Sequence, residues 1–218
     1  MSGVCLTKFL PQPLVPNLAI LSGMGRLVVG IVGEAGAGKG EVAKILTELG
    51  FTYHSLSDDL RTIATNIGLS HDRDVLISLG NALRGTFGSD IVARGVNEWL
   101  VGEEKVGNVV VDSIRNPGEV EYLQRELDAF VIGVTMSDER RFELMKERGR
   151  KGDPTTWDEF QALLRRERGD GENASGQQLL LCLEKVNVVV ENNGSLAELK
   201  SNIKEALSGN SIANERLA

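Results

Sequence analysis

Short apolar runs rich in β-branched residues alternate with longer amphipathic stretches along most of the chain. The first run, residues 27–32 (LVVGIV), reads as a buried strand. A glycine-rich turn follows it, and apolar residues then recur at helical spacing from Gly40 to Leu49. Four more runs predict buried strands in the same way: residues 51–55, 109–111, 130–135 and 186–190.

Amphipathic stretches separate these strands. A helix with Ser57 as its N-cap is expected after the second strand, and Pro117 stands at the start of another, where proline is tolerated. The remaining predicted helices cover residues 72–102 (with a break at 85–89), 117–128, 138–148, 156–168 and 195–207. This alternation predicts an α/β fold with right-handed βαβ units and a parallel sheet of about five strands.

The chain divides into a short tail and one domain. Residues 1–23 contain Pro11, Pro13 and Pro16 and are expected to be a disordered tail. Residues 24–218 are expected to form a single domain, in which about 148–172 serve as a small helical lid beside a polar loop at 149–154. Ligands of such sheets bind beyond the carboxyl ends of the strands.

Composition and charge narrow the classes of function. Hydrophobic residues make up 41% and charged residues 25%, as in an ordinary globular protein. The net charge of −7 opposes binding to a nucleic-acid duplex, and no apolar run approaches the length of a membrane span. Cys5 and Cys182 are too few for a disulfide framework or a zinc site, which favours a cytoplasmic protein.

The turn after the first strand has the pattern G-x-x-x-x-G-K of a Walker A phosphate-binding loop. Glycines let backbone N–H groups curl around a phosphate, while the following helix and Lys39 add positive charge. A flexible turn with an incidental lysine is the alternative. The predicted nucleotide-binding residues are Gly33, Glu34, Ala35, Gly36, Ala37, Gly38, Lys39, Gly40 and Glu41.

The loop departs from the usual pattern where a Ser or Thr normally binds Mg²⁺. Gly40 and then Glu41 follow the lysine, so magnesium would rest on phosphate oxygens, waters and a more distant carboxylate. Asp112, at the end of the third strand, is the natural candidate and would act through water. Its alternative role is to cap the turn after the strand.

Several segments resemble nucleoside monophosphate kinases of the adenylate kinase type. The loop GEAGAGKG resembles their glycine-rich loop but lacks its proline and following threonine. Residues 55–61 (SLSDDLR) resemble their segment ending in a monophosphate-binding arginine, and residues 111–115 (VDSIR) resemble their strand-end Asp-Gly-Phe-Pro-Arg. Residues 150–153, with Arg165 and Arg166, are similar to their lid arginines.

A closer resemblance is to a poorly characterised archaeal family of P-loop kinase-like proteins, sometimes labelled dephospho-CoA kinase-related. Its hallmarks are GKGE (38–41), DSIRNPGEVEYL (112–123), RGRKGDPTTWDEF (148–160) and VVENNGSLAELK (189–200). A similar P-loop domain accompanies some deoxycytidylate deaminases, with counterparts of LGNALR (79–84) and GQQLLLC (176–182). The resemblance covers residues 26 to 208 and implies a P-loop NTPase fold that binds nucleotide.

Phosphoryl transfer depends mainly on charge placed around the travelling group, so arginines near the crevice are the candidate site residues. The predicted catalytic residues are Lys39, Asp112, Arg115, Arg148 and Arg150, the last two at the hinge of the lid. Arg61, Arg84 and Arg115 are the predicted acceptor-binding residues, with a surface role as the alternative for Arg84. Asn192 and Asn193 either form a turn or, as the resemblance implies, frame the nucleotide base.

These observations predict an ATP- and Mg²⁺-dependent kinase that phosphorylates a small nucleotide, with a nucleoside or deoxynucleoside monophosphate as the leading acceptor. Transfer to a sugar hydroxyl, as in dephospho-CoA kinase, is one alternative. A nucleotide-binding regulatory domain with little transfer activity is the other, and Gly40 and Glu41 favour it because both weaken metal positioning. A monomer or homodimer with no nucleic-acid or membrane partner is expected.

Overall fold

The computed structural model describes residues 26–102, 106–150 and 152–209. Within them, five strands form one sheet: β1 (Val28–Val32), β2 (Thr52–Ser55), β3 (Val109–Asp112), β4 (Phe130–Thr135) and β5 (Val188–Glu191). The helices are α1 (Lys39–Glu48), α2 (Leu56–Asn66), α3 (Arg73–Phe87), α4 (Ile91–Gly102), α5 (Pro117–Leu127), α6 (Asp138–Arg148), α7 (Trp157–Arg168), α8 (Leu179–Leu183) and α9 (Leu196–Ser208).

The strands run parallel in the order β2-β3-β1-β4-β5. Every residue of β1 is buried, as expected for a central strand covered by helices on both faces. After β1 the chain forms β2 and then β3 on one side of it and crosses to β4 and β5 on the other, so the carboxyl end of β1 lies where the strand order reverses. A crevice for ligands is expected at that point.

Two apolar cores cover the two faces of the sheet. One packs α2, α4, α5 and α8 against alternate residues of β1 and β3, with Val28 and Val111 among them. The other packs α1 and α9 against the opposite residues, with Val29 and Val110 among them. Burial of both faces explains why the strands read as continuous apolar runs without alternation.

The segment predicted as a lid forms a small cluster of its own. Met145 of α6 packs with Phe160 and Leu164 of α7 and with Ala35. A capping box starts α7, because the Thr156 side chain accepts a hydrogen bond from the Glu159 N–H and the Glu159 carboxylate accepts one from the Thr156 N–H. The predicted lid therefore packs directly against the loop after β1.

The structure confirms the predicted fold class and corrects several details. The interpretation of Ser57 as an N-cap is wrong, because α2 begins at Leu56 and Ser57 lies within its first turn. The short helix α8 was not predicted, and β5 starts two residues later than expected. The predicted tail, 1–23, lies outside the described residues, and no helix in the described part is long and apolar enough to cross a membrane.

Candidate functional site

The loop after β1 has the backbone shape that its glycines predict. Gly36 and Gly38 have φ angles of 81° and 94°, in the left-handed region that favours glycine. Gly33 passes so close to β4 that an added Cβ would lie 2.5 Å from the Val134 carbonyl oxygen. Helix α1 starts directly at Lys39, so its N-terminal N–H groups face the loop. We call residues 33–40 the phosphate loop.

Lys39 folds back over the phosphate loop. Its Nζ donates hydrogen bonds to the carbonyl oxygens of Gly33 at 2.6 Å and Glu34 at 3.0 Å. Burial and then the charge of Arg115 lower the pKa of Lys39 to about 8, although Asp112 and Glu167 act in the opposite direction. The lysine is therefore surrounded by charged groups that the sequence places far apart.

A buried carboxylate, Glu167, meets the phosphate loop from the end of α7. Its Oε2 accepts a hydrogen bond from the Ala35 N–H at 2.8 Å. Its Oε1 pairs with Arg73 at 2.6 Å and with Arg115 at 3.3 Å. Burial alone would raise the pKa of Glu167, but Arg115, Lys39 and Arg73 outweigh it and lower the pKa. An ionised carboxylate thus bridges the loop, α3 and the segment after β3.

A second ionic cluster holds the side chain of Glu34 in the phosphate loop. Arg168 donates to Glu34 Oε1 at 2.6 Å, and Arg141 pairs with Glu34 Oε2 at 3.0 Å. Arg141 also contacts the Ala35 carbonyl oxygen and pairs with Asp138, which Arg168 approaches as well. Arg141 is 1% exposed, so its pairs with Glu34 and Asp138 are enclosed between α6 and the phosphate loop.

Asp112 lies at the carboxyl end of β3, beside β1. Its carboxylate accepts hydrogen bonds from the Tyr53 hydroxyl at 3.1 Å and from the Ser113 N–H at 2.5 Å. Ser113 has a φ of 68°, an uncommon backbone conformation for a residue other than glycine. The contact with Ser113 agrees with the predicted turn-capping role, while the charge of Asp112 also acts on Lys39.

Asn192 connects the end of β5 with the phosphate loop. Its Nδ2 donates to the Ala37 carbonyl oxygen at 3.1 Å. Its neighbour Asn193 accepts a hydrogen bond from the Ser137 N–H. A shallow surface cavity lies beside the two amides, lined by the end of β5 and the first turns of α9. The two asparagines therefore lie in the connection between β5 and α9 and line this cavity, and Asn192 also contacts the phosphate loop.

The predicted arginines lie in different parts of the structure. Arg115 lies at the phosphate loop, as described above. Arg61 pairs with Asp58 on the surface of α2, while Arg148 makes a two-pronged pair with Asp153 at the start of the lid segment. Arg150 is exposed and contributes its backbone N–H to Asp153.

Arg84 is enclosed, and its predicted surface alternative is wrong. The side chain is 3% exposed, and its guanidinium binds the Glu119 carboxylate at 2.9 and 2.8 Å. Glu119 is itself buried and accepts hydrogen bonds from the backbone N–H groups of Arg115 and Asn116. Arg84 thus supports the backbone that carries Arg115, and its guanidinium is committed to Glu119.

Gly40 and Glu41 are both exposed in the first turn of α1. Within residues 26–102, 106–150 and 152–209, no group of three or more His, Cys, Asp or Glu side chains is arranged to hold a metal ion.

Sequence reasoning missed Glu167, Arg73 and Tyr53. Glu167 belongs to the run RRER at the end of α7, and its charged neighbours favour the interpretation that this part of the helix is a charged surface. Arg73 and Tyr53 carry no motif. The one available signal is that residues 165–168 precede a glycine at a helix end, close to the predicted lid hinge.

Comparison with curated proteins places the chain in a family. No family model matches it. A UPF0200 protein of Hyperthermus butylicus is 30% identical over 188 residues, which cover 86% of this chain and 97% of that protein. The chain belongs to the UPF0200 family. A UPF0200 protein of Pyrococcus horikoshii is 29% identical over 84% of this chain and 96% of its own length. A UPF0200 protein of Methanopyrus kandleri is 36% identical over 66% of this chain and 74% of its own length.

Solved structures with the fold of this UPF0200 chain include kinases. TT1252 from Thermus thermophilus matches with a TM-score of 0.55 and 20% identity, over 84% of this chain and 97% of its own. Shikimate kinase from Acinetobacter baumannii, in complex with shikimate, matches with a TM-score of 0.54 and 16% identity, over 88% and 98%. These likenesses show the fold, which is that of P-loop kinases, as predicted.

Proposed function

We propose that this UPF0200 protein is an ATP- and Mg²⁺-dependent phosphotransferase with a small nucleotide as its acceptor. The observation that carries the proposal is the convergence of Lys39, Arg115 and Arg73 on a phosphate loop at the reversal of strand order. Phosphoryl transfer requires this concentration of fixed positive charge around a loop of backbone donors.

The phosphate loop fits the phosphates of a nucleotide. The Ala35 N–H already donates to a carboxylate oxygen, so the loop presents an amide to an anion without rearrangement. Lys39 would leave its two carbonyl partners to neutralise phosphate charge. Magnesium, when bound with the nucleotide, supplies further neutralisation, and Asp112 would hold it through water.

Asp112 and Arg115 face the acceptor in this proposal. Arg115 would hold an acceptor phosphate, and the hydrogen bonds from Tyr53 and Ser113 would fix the direction of the Asp112 carboxylate. A monophosphate acceptor brings an anionic nucleophile and needs no base. Arg148 and Arg150 would enter from the lid, where Arg148 now pairs with Asp153.

Two alternatives share this geometry. A sugar hydroxyl as acceptor would require a general base, and Asp112 is the carboxylate placed to take the proton. A nucleotide-binding regulatory domain is favoured by the exposed Gly40 and Glu41, which supply no hydroxyl for the metal. A Cβ added at Gly40 meets nothing within 4 Å, so Gly40→Ser offers a way to restore that hydroxyl.

Phosphate transfer from ATP to each nucleoside and deoxynucleoside monophosphate and to dephospho-CoA tests the proposal. The wild type is expected to phosphorylate one class of acceptor, and Lys39→Ala is expected to lose that activity. Tight ATP binding without transfer, in the wild type and in Gly40→Ser alike, would contradict the kinase proposal and favour the regulatory domain.

A further inference from the structure

The carboxylate of Glu167 lies among groups that suit a phosphate. Its side chain is 1% exposed, and its two oxygens meet one loop N–H and two guanidinium groups at 2.6 to 3.3 Å. Lys39 is close enough for its charge to act on the same carboxylate. One negative charge therefore faces three positive ones, on the loop that the proposed function assigns to the phosphates of ATP.

The donors have the chemistry of a phosphoryl site. Guanidinium groups bind phosphate oxygens in a planar, two-pronged manner, and a loop N–H donates a hydrogen bond to a further oxygen. A phosphoryl group offers more oxygens and more charge than a carboxylate does. It would therefore satisfy Arg73, Arg115 and the Ala35 N–H more fully than Glu167 does, provided that the glutamate moves away.

Other contacts hold the end of α7, so Glu167 is not needed to fasten it. Arg166 pairs with Asp74 of α3 at 2.5 Å, and Arg168 pairs with Glu34 in the phosphate loop at 2.6 Å. The two arginines that pair with Glu167 are also accessible to solvent, because the side chain of Arg73 is 40% exposed and that of Arg115 is 20% exposed. A ligand can thus approach these arginines from solvent.

We propose that the Ala35 N–H, Arg73 and Arg115 form a binding site for a phosphoryl group. The Glu167 carboxylate occupies these donors in the free protein and competes with the phosphoryl group for them, so we call it the competitor. The inference rests on the proposed function, because it takes the loop to bind phosphate. It adds Arg73 as a phosphate-binding residue. A phosphoryl group would displace the Glu167 carboxylate on entry, so binding would carry the cost of breaking its ion pairs.

Isothermal titration of the full chain with inorganic pyrophosphate tests this inference. Glu167→Gln keeps the shape of the side chain but removes its charge, and it is expected to tighten binding by about tenfold or more. Glu143→Gln, on the exposed face of α6, changes the net charge equally and is expected to leave binding within about twofold. The double variant Glu167→Gln/Arg73→Gln is expected to lose the gain.

Unchanged or weaker binding in Glu167→Gln would overturn the inference and make Glu167 a structural support for the two arginines. A gain that survives in the double variant would overturn the role of Arg73. If Glu167→Gln fails to fold, Glu167→Asp takes its place. The shortened carboxylate cannot reach all three donors together, so binding tighter than in the wild type supports the competitor, and equal or weaker binding contradicts it.

The outcome is independent of the kinase assay. A tenfold gain for pyrophosphate, with no phosphate transfer to any acceptor, would support the competitor and contradict the proposed function. Transfer to an acceptor without any gain in Glu167→Gln would do the reverse. Repeating the titration with ATP shows whether the site takes a nucleotide phosphate or only the inorganic ion.

Discussion

Arg168 Nε donates a hydrogen bond to Glu34 Oε1 at 2.6 Å, so the last turn of α7 is fastened to the second residue of the phosphate loop. The two residues are 134 positions apart in sequence. Arg141 of α6 reaches the other oxygen of the same carboxylate. The loop is therefore supported by one arginine from α6 and one from α7, as well as by its own helix.

Replacing Glu34 by Gln is expected to lower the free energy of unfolding by about 2 kcal/mol, because a buried arginine loses one of its two carboxylate partners. Asp138 remains beside Arg141 and limits the loss. Urea unfolding measures the change. Glu41→Gln, on an exposed residue of the next turn, is the matched control, and an equal loss in both variants would contradict the role assigned to Glu34.

ATP binding is expected to weaken as the pH rises above about 8, because that is the pKa of Lys39 in the free protein. The lowered pKa leaves the lysine increasingly neutral there, whereas a bound phosphate requires its charge. Binding near this pH should therefore take up protons. The second pKa of a phosphate lies at about 6, so the ligand itself does not titrate in this range.

Calorimetry in buffers of different ionisation enthalpy measures that proton uptake. Lys39→Arg keeps its charge throughout the range and is expected to bind without uptake at this pH. Equal uptake in the wild type and in this variant would show that another group titrates.

Replacing Gly38 by Ala is expected to destabilise the protein by about 2 kcal/mol, since a left-handed backbone costs about 1–2 kcal/mol for other residues. The φ of Gly38 is 94°, and the new Cβ would lie 2.1 Å from Asn192 Nδ2. Thermal unfolding measures the loss. Gly40→Ala, whose Cβ meets nothing within 4 Å, should be neutral or stabilising, and equal losses at both positions would refute the steric argument.

Replacing Tyr53 by Phe removes one of two hydrogen bonds to the Asp112 carboxylate. Under the proposed function, this variant should transfer phosphate about threefold to tenfold more slowly, the value of one such bond. Its affinity for ATP should stay within about twofold of the wild type, because the bond that is lost is made to Asp112 and not to the phosphate loop. Loss of ATP affinity in proportion to rate would indicate a general structural defect instead.

Replacing Arg84 by Met is expected to lower the free energy of unfolding by about 3 kcal/mol or more, because Glu119 is left as an unpaired buried charge. Adding Glu119→Gln should recover part of the loss. Chemical unfolding of the single and double variants measures both effects. Full stability of Arg84→Met would contradict the supporting role that the structure gives to the Arg84–Glu119 pair.

The fold follows from sequence because its signals are local. Runs such as 130–135 (FVIGVT) are apolar on both faces, and the turn at 33–40 carries its glycines and lysine in a fixed pattern. The predicted helix at 138–148 has the bounds found in the structure. Each of these depends on neighbours within a few residues.

The ionic partners at the loop could not be found in the same way. Glu167 and Ala35 are 132 residues apart, and only the packing of α7 against the loop brings them together. The surface alternative for Arg84 was wrong for the same reason, because a buried arginine and a surface arginine look alike in sequence until the partner, Glu119, is known. Long-range charge pairing is a property of the folded chain, which the local pattern does not encode.

The three consecutive ion pairs of residues 166–168 constrain how this lid can be exchanged or redesigned. Each successive residue of a helix is rotated by about 100° from the one before. A single residue inserted in α7 before Arg166 would move every charge away from its partner, bringing an arginine toward Arg73 and Glu167 toward solvent or another acid. Exchanging the predicted lid would therefore require that α7 keep its length from Phe160 to Arg168, so that all three ion pairs stay in register with their partners.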